Sequence, residues 1–303
     1  MSLTRREFLK LGLSAGVALL ANPFSNLLFA EENKVKDPDM IGVRNGTAVE
    51  MFESGIKEFG GMSRFVKKDQ TVVVKPNIGW AKTPAEGANT QPELVAKIIE
   101  HAYKAGAKKV YVFDNTCNGW QECYKTSGIE KAAREANATV LAANKVETYK
   151  KREIKGNKLK EVMVNQLYLE ADVVINVPVL KHHGGATMTS ALKNLMGVVW
   201  DRRFYHRNGL HECIAEFAGL RKPDLTIIDA YQVMTQNGPR GLSKADVALR
   251  RMQIIGTDMV ALDTAAAKIL EFDPLKINHI PMAEKLGIGT MNLDKLAIKR
   301  ITV

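Results

Sequence analysis

Five short apolar runs in this chain each close on a charge: VVVKPN at Lys75, VYVFDN at Asp114, VVINVPVLKHH at Lys181, LTIIDA at Asp229 and MQIIGTD at Asp258. Runs this short and this rich in Val and Ile fit strands buried on both faces, the usual condition of a parallel sheet. Segments with helix start and stop signals lie between and around them. The pattern predicts helices over 47–59, 92–105, 128–137, 186–199, 210–220 and 260–270. It predicts strands over 71–75, 109–113, 139–142, 173–179, 225–228 and 252–255. This alternation implies one α/β domain, with a mostly parallel, doubly wound central sheet and helices on both faces. Ligands of such sheets bind beyond the carboxyl ends of the strands, so the five charges are expected along one rim.

The first residues read as an address. SLTRREFLK presents adjacent Arg5 and Arg6, then Phe8, Leu9 and Lys10, in the manner of a twin-arginine export signal. The apolar stretch from Leu11 to Leu20 is interrupted by Gly12, Ser14 and Gly16 and broken by Asn22-Pro23. It falls short of the roughly 20 apolar residues that span a bilayer. A signal-peptide core is the better reading, with cleavage after Ala30. The alternative is an uncleaved amphipathic anchor. Residues 1–30 are therefore set aside as a leader, and residues 31–303 as the single domain. The Tat translocase is then a transient partner. The expected location is periplasmic, or extracellular if the source has no outer membrane, with no stable membrane span after cleavage.

The formal charge is +10, and the leader contributes only Arg5, Arg6 and Lys10 against Glu7. A basic balance suits nucleic acid, an anionic surface or an anionic substrate. Export argues against nucleic acid. The densest basic run, Lys150, Lys151, Arg152, Lys155, Lys158 and Lys160 around Gly156-Asn157, reads as a solvated hairpin edge. Cys117 and Cys123 flank NGWQE and could bridge, which would leave Cys213 over. No C-x-x-C pair or ferredoxin-type run of cysteines occurs.

The order VVVKPNIGW, ADVVINVPVLKHH, ALKNLMGVV, KPDLTIIDA, NGPRG and IIGTDMVALD resembles the domain of unknown function 362 family, over residues 69–270. The resemblance implies a bacterial or archaeal α/β protein, in a family where some members are fused to iron–sulfur ferredoxin modules. This chain has no such module.

Two sets of residues carry the expected chemistry. Lys75, Lys181 and Lys193, with Asn77, Asn194 and Arg240, suit a carboxylate, phosphate or sulfate. Gly184-Gly185 would let the backbone turn into a helix whose first amides add to that anion site. Arg240, in the tight loop Gly238 to Gly241, would close over the ligand. Asp229 and Asp258, with Lys181, are the candidate catalytic acids and bases, and Asp114 and Asp263 flank strands in the same way. Asp258 also reads as a plain helix N-cap. His182, His183, His206 and His211 are the candidate metal ligands, though none stands at a recognised ligand spacing. The expected function is an exported enzyme acting on a small anionic substrate. The alternative is a non-catalytic binding or redox-partner protein with a divalent metal or iron–sulfur cluster. Replacing Arg5 and Arg6 by lysine should strand the protein in the cytoplasm. Unchanged export in a fractionation assay would overturn the twin-arginine reading.

Overall fold

The computed structural model describes residues 37–303. The expected twin-arginine leader and cleavage point fall outside the described residues. The chain enters by strand β1 (Met40–Arg44) and helix α1 (Ala48–Glu58). Thr47 and Glu50 form a reciprocal capping box at the start of α1, as Thr followed three residues on by Glu allows. Then come β2 (Thr71–Pro76), α2 (Pro92–Lys104), β3 (Lys109–Val112), α3 (Trp120–Thr126), α4 (Ile129–Glu135) and β4 (Thr139–Val140). The lysine-rich run forms an antiparallel hairpin, β5 (Tyr149–Glu153) and β6 (Glu161–Asn165), with its basic side chains in solvent. The middle of the chain holds α5 (Gln166–Glu170), β7 (Val173–Val177), β8 (Val179–His183), β9 (Thr187–Thr189), α6 (Ala191–Asn194), α7 (Arg202–Asn208) and α8 (Leu210–Ala218). It ends with β10 (Leu225–Met234), β11 (Val247–Gly256), α9 (Met259–Ile269), α10 (His279–Lys285) and β12 (Ile298–Thr302). No helix among the described residues is long and apolar enough to cross a membrane.

The main sheet runs β12-β1-β11-β10-β7-β2-β3-β4, with β8 on β10 and β9 on β8. Its pairings are parallel except where β11 meets β1 and β10, and where β9 meets β8. The expected α/β architecture with a mostly parallel sheet therefore holds. The unbroken apolar strands have a simple cause. Val72 and Val74 of β2, with Val173 and Ile175 of β7, join the core that also holds α1, α2, α3 and α4. Val73 and Val174, one residue out of phase, join the core beneath α6, α8 and α9. Alternate residues serve opposite faces, so both faces must be apolar.

Three expectations change. The 186–199 segment is not one helix. His183 to Ala186 turn the chain back, β9 pairs antiparallel with β8, and only then does the four-residue α6 begin, followed by a 3-10 turn over Leu195–Val198. β-branched Thr187 and Thr189 favour that strand. Second, β10 does not stop at Ile228 but continues to Met234, so Asp229 lies within a strand. Third, β11 runs against its neighbours: Gly256 lies opposite Met40 and Thr226, at the amino ends of β1 and β10. Asp258 thus emerges at the rim opposite the carboxyl ends of the parallel strands.

α1 seats on β1 and β11 through a glycine. A Cβ at Gly55 would fall 2.6 Å from Ile255 Cδ1 and 2.9 Å from Val43 Cγ2. Gly55→Ala should cost about 1–3 kcal/mol by denaturant unfolding, the usual price of overpacking. A variant as stable as the parent would show that α1 is seated otherwise.

Candidate functional site

β2 and β7 pair in parallel, with Lys75 opposite Asn176. By the strand alternation, both point to the face that carries Val73 and Val174. Lys75 is fully buried and Asp114, just past β3, is 3% exposed. Three oxygens surround the lysine Nζ: Asp114 Oδ1 at 2.9 Å, the Pro76 carbonyl at 2.9 Å and Asn194 Oδ1 at 3.0 Å. The contact with Asp114 is charge to charge, since Oδ1 takes no well-directed hydrogen bond. Burial pulls the Lys75 pKa down and Asp114 opposes it. Asp114 Oδ2 accepts from Ile78 N at 2.6 Å, and the buried Tyr124 hydroxyl accepts from Asp114 N at 2.8 Å. Gly197 closes over the pair so tightly that a Cβ there would lie 1.8 Å from Asp114 Oδ1 and 2.5 Å from Lys75 Nζ.

From this pair an amide relay crosses the rim. Asn176 Nδ2 donates to the Ala191 carbonyl at 3.1 Å, and its Oδ1 accepts from Asn194 Nδ2 at 2.8 Å. Asn194 Oδ1 accepts from Lys75 and from Asn77 Nδ2 at 2.9 Å. Asn77 Oδ1 then accepts from Lys181 Nζ at 3.1 Å. A carbonyl can only accept, so Ala191 fixes the orientation of every amide in the chain. Lys181 Nζ also donates to the Ala88 carbonyl.

Lys75, Lys181 and Lys193 line one cavity of about 570 Å³, with Asn77, Asn194 and Asp114. Its lining holds five lysines and arginines against two carboxylates, Asp114 and Asp201. Asp114 is engaged by Lys75, and Asp201 caps α7 by accepting from Arg203 N and Phe204 N. Arg202 reaches back to the Thr116 carbonyl and to Cys117 Sγ at 3.3 Å, which fixes its guanidinium on the wall. Lys181 is 2% exposed, and burial brings its pKa down to about 7. Lys193 makes no hydrogen bond or ion pair among the described residues, and burial brings it to about 8. His183 and His206 also line the cavity, rings 6.5 Å apart. Burial holds His183 neutral, at about 2, and its Nδ1 accepts from Gly185 N and Ala186 N.

The structure thus brings together Lys75, Asn77, Lys181, Lys193 and Asn194. Other candidates fall elsewhere. Asp229 is absent from the cavity lining and accepts from Gln91 N, just before α2, at 2.8 Å and from Tyr231 N at 3.0 Å. Burial raises its pKa to about 7. Asp258 is the N-cap of α9, accepting from Val260 N and Ala261 N, and from Thr290 N through its other oxygen. Arg240 is exposed and its neighbour Pro239, not Arg240, lines the cavity. The anion site expected at the amides after Gly184-Gly185 is closed, because Asp263 accepts from Ala191 N at 2.6 Å and Leu192 N at 3.1 Å. Asp114 stands at the rim with Lys75 and Lys181, as its strand end led us to expect; Tyr124, Gly197 and Arg202 are the members that local sequence did not single out.

The four histidines do not share a site. His182 accepts from Gly238 N and packs on Phe272, while His211 stacks on His279 with Nδ1 atoms 2.9 Å apart. No three His, Cys, Asp or Glu side chains form a metal-holding group among the described residues. All three cysteines are free. Burial raises the Cys123 thiol, and that of Cys213 to about 11, against the thiolates a cluster needs. The donor set therefore does not fit the expected metal or iron–sulfur group.

Breaking a buried ion pair from one side strands the other charge, at about 3–5 kcal/mol. Asp114→Asn should lose stability on that order, and adding Lys75→Met should recover part of it. Equal melting of the single variant and the parent would show that the pair is not what holds this rim.

The family described as "Domain of unknown function (DUF362)" matches residues 72–268. The thylakoid-associated protein sll1697 of Synechocystis sp. is 28% identical over 256 residues, covering 80% of this chain and 76% of that protein. Two solved structures share a more distant likeness. The lactate racemase apoprotein of Thermoanaerobacterium thermosaccharolyticum aligns at 12% identity and TM-score 0.45, over 70% of this chain and 53% of its own. A Thermotoga maritima protein aligns at 15% identity and TM-score 0.46, over 79% of this chain and 60% of its own. This chain spans only those shares of the two solved proteins. Matched across strands β2 to β11 and into α9, the chain belongs to the domain of unknown function 362 family.

Proposed function

We propose that this protein is an enzyme acting on a small anionic substrate, bound in the cavity at the carboxyl rim of the sheet. One observation carries the reading: the cavity holds cations that no carboxylate among the described residues neutralises, with Lys181 almost wholly buried among them. A buried charge is costly unless it is paired. An anion from solution would supply the missing partner. Lys193, Arg202 and Arg203 are placed to hold it, because their charges are not consumed by cavity carboxylates. Lys181, brought close to neutrality, suits proton transfer at the bound molecule. With the twin-arginine leader, the same reading sets the reaction outside the cytoplasm.

Lys193→Met should weaken small-anion binding by about 1.5–3 kcal/mol, the scale of a charged hydrogen bond, with little change in melting temperature. Calorimetric titration with sulfate, phosphate and short carboxylates measures it. If the variant unfolds instead, or binds as the parent does, Lys193 does not hold the anion.

The pH dependence has opposite signs for binding and stability. Anion affinity should fall as pH rises through about 7 and about 8, where Lys181 and Lys193 lose their protons. Unfolded Lys181 titrates near 10.5 and folded Lys181 near 7, so the unfolded chain holds the extra proton between these values. Stability therefore rises with pH across that window, and Lys181→Met should flatten the slope. A slope of the other sign, in denaturant melts at several pH values, would refute the burial of an ionisable amine here.

A further inference from the structure

We propose that Lys181 is a nucleophile that forms an imine with the carbonyl carbon of a keto-acid substrate, whose carboxylate is held by Lys193 and Arg202. This rests on the anion-binding reading above and names the substrate class. It is carried by the hydrogen bonds around the three lysines. Lys75 Nζ is surrounded by three oxygens, one of them the Asp114 carboxylate, and so is built as an ammonium. Among the described residues, Lys181 Nζ meets two oxygens, Asn77 Oδ1 and the Ala88 carbonyl, and no carboxylate. A neutral amine has two N–H groups and one lone pair. Two acceptors satisfy the first and leave the second free.

The relay protects that lone pair. Were Asn77 turned over, its amide N–H would donate to Lys181 and occupy the nitrogen. The Ala191 carbonyl forbids this, because it fixes Asn176, then Asn194, then Asn77 with oxygen toward the lysine. The buried polar chain thus orients a nucleophile as well as satisfying itself. A desolvated lysine beside other cations is the arrangement in which an amine attacks a carbonyl. Lys193, without a hydrogen-bond or ion-pair partner among the described residues, supplies both a cation for the carboxylate and a proton.

The step balances. The Lys181 lone pair attacks the keto carbon and forms a C–N bond. The C=O π pair moves to oxygen, which takes a proton from the Lys193 ammonium. The nitrogen then returns a proton to the Lys193 amine, which passes it to the hydroxyl; the hydroxyl leaves as water, the nitrogen lone pair closes the C=N bond as a protonated imine, and Lys193 is left neutral. No oxidant or metal is needed.

Cyanoborohydride trapping tests it on the folded protein. α-Ketobutyrate is the probe, and butyrate, which lacks the carbonyl, is the control. Expected is one reduced adduct, mapped by peptide mass spectrometry to Lys181, suppressed by excess butyrate and lost in Lys181→Arg. Mapping on the parent protein keeps the test valid even if the variant fails to fold. Binding of both acids with no adduct at Lys181, or with labelling only of Lys193 or surface lysines, overturns the imine and leaves the anion pocket standing. Binding of neither acid, nor of sulfate or phosphate, overturns both.

Discussion

The Lys75–Asp114 ion pair sets the geometry of the whole carboxyl rim. Lys75 comes from β2, Asp114 follows β3, and the Gly197 backbone lies across both where a single methyl would not fit. A pair this deeply buried adds little to stability, because desolvation consumes most of the attraction. What it does is discriminate. Only the observed register of β2 on β3, with the 3-10 turn at Leu195–Val198 pressed down on them, neutralises both charges. Asn194 ends α6 immediately before that turn, and through it the pair anchors the relay that ends on Lys181.

Much of the fold was legible because the strands carry the same apolar demand on both faces. Val72, Val73 and Val74 must each bury, and they face different cores. The lysines of the site were legible too, as charges at the ends of such strands. The carboxylates were legible only in part. Asp114 and Asp229 follow equally apolar runs, yet Asp114 enters the cavity and Asp229 does not. The difference lies in pairing distant in sequence: β10 continues along β11 to Met234, and Asp229 is caught within it. Asp258 fails for the same reason, since one reversed strand carries its end to the opposite rim. Gly184-Gly185 was read as a helix approach, although Thr187 and Thr189 already argued for a strand. The histidines were dispersed by tertiary packing, which spacing in sequence does not encode.

Three lysines of one type end in three states because their oxygens differ. Lys75 has a carboxylate and two further acceptors, Lys181 has two neutral acceptors, and Lys193 has none among the described residues. Desolvation acts on all three in the same direction. Asp114 stands against it at all three, but only Lys75 is in direct contact with that carboxylate. A fold selected for stability alone has no use for the other two in that place, since an apolar side chain of equal length would bury at less cost. Under the proposed function, a bound anion would share that cost.

Asp229 still bears on the site, through the loop between β2 and α2. Its carboxylate fixes Gln91 N, where α2 begins. Thr90, next to it, donates to the Val177 carbonyl and accepts from Asn77 N, while Asn77 O accepts from Thr90 N. Asn89 clamps both polar groups of the Trp80 backbone. The loop is therefore closed at its two ends by buried polar side chains, and between them it presents the Ala88 carbonyl to Lys181. A carboxylate outside the cavity thus holds one of the two acceptors that meet the Lys181 amine. Its effect on chemistry would pass through position alone, by way of the backbone it restrains.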